Sequence, residues 1–200
     1  MRVIILLALL LAGPSFAQPF APQAMRIAGT VERVDGDNVS IRAIEGGGTN
    51  TVHLTKNAVV FGIARATLAD IKPGAFVGVG ATPEADGSQR AIRVTVFSEQ
   101  QRGQGEGFRS WGRAPGGTMT NATVDETVTG VDGQTVTVKY RGGEKRIVIP
   151  PDAHILAYSP GERSEIKSGA EVVISRAVRK LDGTLEANRI AVGRGGLIPD

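Results

Sequence analysis

Val34-Asp35-Gly36-Asp37-Asn38-Val39-Ser40-Ile41 returns 97 residues later as Val131-Asp132-Gly133-Gln134-Thr135-Val136-Thr137-Val138, and this recurrence decides the fold. Two further blocks repeat in the same order. Asp70-Ile71-Lys72-Pro73-Gly74-Ala75 returns as Glu165-Ile166-Lys167-Ser168-Gly169-Ala170, offset by 95, and Ala85-Asp86-Gly87-Ser88 returns as Leu181-Asp182-Gly183-Thr184, offset by 96. The chain is therefore an internal duplication, with copies at 25–98 and 122–194, a Gly-rich connector at 99–121 and a tail at 195–200.

Within each copy the hydrophobic period is two, the signature of strands with one buried face. Val136, Val138 and Tyr140 alternate with Thr135, Thr137 and Lys139, as Ile92, Val94 and Val96 alternate with Arg93, Thr95 and Phe97. The Asp-Gly pairs at 35–36, 86–87, 132–133 and 182–183 lie between such runs, where glycine accepts the positive φ of a tight hairpin. In copy one these signals predict strands over 26–34, 38–44, 50–61, 75–82 and 89–97, with a helical turn near 67–71; copy two follows the same plan. Five short strands and one turn in about 70 residues predict an all-β protein of two tandem small OB-like Greek-key barrels, one per copy. An open sandwich is the second choice. Barrel closure suits a chain with only 4% aromatic residues, because Val, Ile, Ala and Leu fill a narrow interior.

Residues 1–17 form a separate object. Arg2, the apolar run Val3–Ala12 and the small-residue ending at Ala17 have the layout of a signal peptide, so cleavage is expected after Ala17, leaving an extended leader at 18–24. The apolar run is shorter than the roughly 20 residues that span a bilayer, and no later stretch is long enough. A periplasmic or secreted protein with no transmembrane segment after cleavage is expected. The chain has no cysteine, which excludes a disulfide framework and a lipid attachment site behind the signal.

The Val-Asp-Gly hairpins, the Ile71-Lys72-Pro73-Gly74 and Ile166-Lys167-Ser168-Gly169 turns, and the connector from Gly103-Gln104-Gly105-Glu106-Gly107 to Met119-Thr120-Asn121-Ala122 resemble exported bacterial proteins of domain of unknown function 5666. The resemblance covers nearly all of the mature chain. It implies an OB-like fold in the bacterial envelope and carries over no functional residue. A metal-transport label borne by some relatives is the source of a rival reading, an envelope carrier or sensor of metal or another ion.

Catalytic and metal chemistry find no supporting constellation. His53 and His154 each fill a strand position that the other copy fills with valine (Val148 and Val59), so they are not a repeated ligand pair and are expected to be structural or half-buried strand residues. Asp35-Gly36-Asp37 lacks the remaining ligands of a calcium loop. Ser164-Glu165-Ile166-Lys167 matches Ser-x-x-Lys but has no Ser-Asp-Asn or Lys-Thr-Gly partner. No catalytic residue, no metal ligand and no cofactor is assigned. Nucleic acid is also set aside: the copies carry eight basic against seven acidic residues and eleven against ten, with no recurring aromatic platform.

The connector is the unusual segment, with six glycines between Gln100 and Asn121 and the chain's one tryptophan. Phe108, Arg109, Trp111 and Arg113 are the candidate binding residues, since Trp and Arg dominate interface hot spots. Trp111 has three readings: packed on a barrel and fixing the angle between copies, an exposed anchor, or part of a mobile tether. The function expected is that of a non-enzymatic binding or interaction protein of the envelope, its partner an unidentified envelope protein or small ligand.

Overall fold

A computed structural model describes residues 23–130 and 133–199. The predicted signal peptide, most of the leader, the Val131-Asp132 pair of the third hairpin and Asp200 lie outside the described residues. The chain is all-β, with β1 (Ala24–Asp35), β2 (Asn38–Ala43), β3 (Thr49–Arg65), β4 (Phe76–Pro83) and β5 (Gln89–Val96) in copy one. Copy two supplies β7 (Thr118–Gly130), β8 (Gly133–Tyr140), β9 (Gly143–Ile149), β10 (His154–Pro160), β11 (Glu171–Arg179) and β12 (Leu185–Gly193); β6 (Gly107–Ser110) belongs to the connector. Gly87 (φ 82°) and Gly183 (φ 84°) occupy equivalent hairpins in the left-handed region that their missing side chains permit.

Two closed five-stranded rings result. β1 pairs with β2, β2 with β3, β3 in parallel with β12, β12 with β11, and β11 with β1. The second ring runs β7–β8–β9–β5–β4 and back to β7, with β9 and β5 parallel. Each ring has the OB-type Greek-key order, and each is plugged by one short 3₁₀ turn. Ile71, after the turn Leu68–Asp70, enters the second core, and Ile166, after the turn Arg163–Glu165, enters the first.

The sequence copies and the barrels do not coincide. The first barrel joins β1–β3 of copy one to β11 and β12 of copy two, and the second joins β7–β9 of copy two to β4 and β5 of copy one. Residues 25–98 and 122–194 therefore exchange their last two strands instead of each closing a barrel alone. The physical reason is the length of β3. Its 17 residues, at about 3.3 Å each, reach about 55 Å, so its far end leaves the first barrel and delivers the chain to the second. Copy two makes the same passage with a break, because Pro150 and Pro151 cannot donate to a ladder and separate β9 from β10.

Where the passages meet, β3 and β10 pair antiparallel, with Phe61 opposite Pro160, Ile63 opposite Tyr158 and Arg65 opposite Leu156. The 95-residue offset carries Ile63 onto Tyr158 and exchanges the outer two pairs, so a pseudo-two-fold axis passes between Ile63 and Tyr158. A third core lies there. Phe61, Ile63, Leu156, Val173 and Ala191 are buried between the barrels, and Phe61 meets the Tyr158 ring edge-on at 5.9 Å. The two barrel interiors alternate as the sequence predicts, Val39, Ile41, Val52 and Leu54 filling one and Val136, Val138, Ile147 and Ile149 the other.

Candidate functional site

The connector folds onto the outside of the second barrel. Val77 and Val79 of β4 point into the core, so Gly78 and Gly80 face outward and leave room for aromatic cover. A Cβ on Gly80 would fall 2.6 Å from Cη2 of Trp111, and one on Gly78 would fall 2.8 Å from the Phe97 ring. The loop after β6 closes tightly, with Trp111 N–H donating to the Gly117 carbonyl at 2.8 Å and Gly117 N–H to that of Ala114 at 2.9 Å. Of the three readings of Trp111, the half-buried indole satisfies the first in part: it packs on a barrel, though on one barrel's outer wall and not between the two.

The four candidate residues separate. Phe108 lies beneath the Lys145 ammonium, 4.6 Å from its ring centroid, and Arg109 donates to the Gly105 carbonyl at 2.9 Å. Trp111 and Arg113 turn the other way and join Ile92, Arg93 and His154 around a hollow of about 350 Å³. Two more hollows adjoin it. One of about 330 Å³ is lined by Arg90, Ile92, Asp152 and His154 among others, and one of about 490 Å³ runs past Arg65, Arg93 and His154 to Leu197 and Ile198 of the tail. His154 lines all three, so they adjoin one another along β5 and β10 and are together termed the groove; Arg93 stands opposite His154 there in a parallel pair. Each hollow falls in the size range of small-molecule sites.

The groove is basic. Among the described residues, its walls carry Arg65, Arg90, Arg93, Arg113 and His154 against the single carboxylate of Asp152. Sequence reasoning reached Trp111 and Arg113 and missed the rest. His53 and His154 are not the structural or half-buried strand residues expected; both are exposed, His53 within β3 and His154 at the start of β10. The signal available was the asymmetry between copies, a histidine where the other copy has Val59. At the matching place across the pseudo-two-fold, Arg189, the counterpart of Arg93, lies over Phe61 at 5.6 Å and donates to Gln104 Oε1 at 2.6 Å.

Two other hollows offer less. A polar one of about 540 Å³ on the first barrel includes His53, Arg179 and Asp182, but its polar groups are engaged internally. Arg179 donates to Gly183, Asp182 accepts from Thr184 N–H and Oγ1, and His53 Nδ1 lies 3.1 Å from Asn38 Oδ1. These Thr184 hydrogen bonds hold the Asp182 carboxyl below its ordinary pKa. The other, about 210 Å³ beside Met25 and Ile44, is smaller than the usual range. Among the described residues no three His, Cys, Asp or Glu side chains gather as a metal site, and no helix is long and apolar enough to cross a membrane. No family model, curated protein or solved structure matches this chain.

Proposed function

We propose that this protein is an exported, non-enzymatic binding protein of the bacterial envelope, akin to the domain family its sequence resembles, and that it holds an anionic ligand or partner in the groove along β5 and β10. One observation carries the reading: among the described residues, four arginines, a histidine and Trp111 line three adjoining hollows that hold one carboxylate. Charge-assisted hydrogen bonds from guanidinium to carboxylate or phosphate are about twice as strong as neutral ones, so this lining selects for negative charge. The remaining surface adds little long-range attraction, since the whole chain carries a formal charge of only +3.

Titrating the mature protein with poly-L-glutamate tests this. A saturable change in Trp111 emission that weakens steeply with salt is expected, and none with poly-L-lysine. Arg90→Gln with Arg113→Gln, both exposed, should reduce affinity about tenfold or more while leaving thermal stability unchanged. Equal response to both polymers, or no response to either, contradicts the reading.

A further inference from the structure

We infer that the ligand of this groove is an acidic oligosaccharide, a chain of sugar rings bearing carboxylates; the inference rests on the proposed function and names its ligand class. Three features of the groove point there.

The first is the strands that floor it. β5 is hydrogen-bonded to β4 on one edge and to β9 and β10 on the other, and β10 lies between β3 and β5. An extended peptide binds most readily by adding a strand to an open edge, and this floor offers none. Recognition falls to side chains.

The second is the indole. Trp111 is seated against Gly80, which has no side chain to displace it, and is held by the closed loop 111–117, so it meets a ligand already in place. Such a ring, fixed before binding, loses little entropy on contact. The C–H face of a pyranose ring stacks on an indole, and the neighbouring exposed Ile92 extends the apolar platform.

The third is spacing. Arg113 flanks the platform, Arg90 lines the adjoining hollow of about 330 Å³, and Arg65 lines the one of about 490 Å³. Cations distributed along a groove suit charges repeated along a chain better than one compact anion. Asp152 supplies an acceptor for sugar hydroxyls between them.

Calorimetric titration of the mature protein with a galacturonic acid hexamer, maltohexaose and poly-L-glutamate tests the inference. The galacturonate should bind, at least tenfold more tightly than maltohexaose and than poly-L-glutamate per equal charge. Trp111→Ala should weaken galacturonate binding about tenfold, Trp111→Phe should restore part of it, and Arg65→Gln should weaken it without altering the melting temperature. Binding of poly-L-glutamate with no preference for the galacturonate overturns the sugar assignment and leaves the anionic groove standing. Silence from both acidic probes overturns both. Galacturonate binding that is indifferent to Trp111→Ala and Arg65→Gln places the sugar elsewhere and overturns the inference.

Discussion

Glu165 and Arg194 form a bidentate ion pair. Arg194 donates through Nε and Nη2 to the two carboxylate oxygens of Glu165, each at 2.8 Å, and through Nη1 to Ser159 Oγ at 2.7 Å. Its guanidinium occupies the space where a Cβ on Gly62 would sit, 2.1 Å from Cζ, so the latch clamps the end of β12 over the crossing strands. The Arg194 hydrogen bonds, helped by the Glu162 N–H, lower the Glu165 pKa from 4.5 to about 2. A carboxyl whose folded pKa is depressed adds stability that is present above about pH 4.5 and is lost as pH falls toward 2. Because both side chains are partly solvated, its worth is about 1 kcal/mol, not the full shift. Glu165→Gln should therefore melt lower than the parent at pH 6, with the difference shrinking below pH 4. A difference that stays constant down to pH 2 would show that the ion pair is not its source.

At the scale of elements, β3 and β10 decide the architecture. Phe61 is 1% exposed at their crossing, so Phe61→Ala should cost about 3–5 kcal/mol, with Trp111 emission and circular dichroism moving together in urea. Loss confined to one of the two probes would mean that the barrels unfold independently and that the crossing does not couple them. Most of the element pattern was legible in the sequence: alternation and Asp-Gly turns placed the strands of copy one to within four residues at every end. The far end of β3 was the outlier, and its signal lay in Ala58-Val59-Val60-Phe61-Gly62-Ile63-Ala64. A strand with one wet face alternates, whereas this run stays apolar, and from Val60 to Ile63 both of its faces are covered. The partner of each strand was not legible, since either copy of the last hairpin presents the same alternating valines to either ring. The groove was hidden for a related reason. Trp111 and Arg113 stood out in a Gly-rich segment, but Arg65, Arg90, Arg93 and His154 come from three strands that only the exchange brings side by side.

For the whole molecule, the exchange turns a duplicated sequence into one body in which each barrel needs strands from both copies. Closure leaves no open edge on either ring, and the third core around Phe61, Tyr158 and Leu156 fixes the barrels against each other. The groove depends on this arrangement, because β5 comes from copy one and β10 from copy two. Thr30 of β1 stands opposite Glu171 of β11, with Thr30 Oγ1 donating to Glu171 Oε1 at 2.8 Å. If each copy closed its own barrel, the repeat offset would place Thr30 opposite Phe76 instead. The chain contains no cysteine, so Thr30→Cys combined with Glu171→Cys introduces the only possible disulfide, between positions whose Cβ atoms a directly opposed pair brings close to bonding distance. Oxidising this double variant in its folded state and weighing the product tests the exchange directly. A monomer lighter by two hydrogens, with a linked peptide joining the two copies, is expected; folded protein that retains both free thiols, or that links only between chains, would show that the copies do not exchange strands.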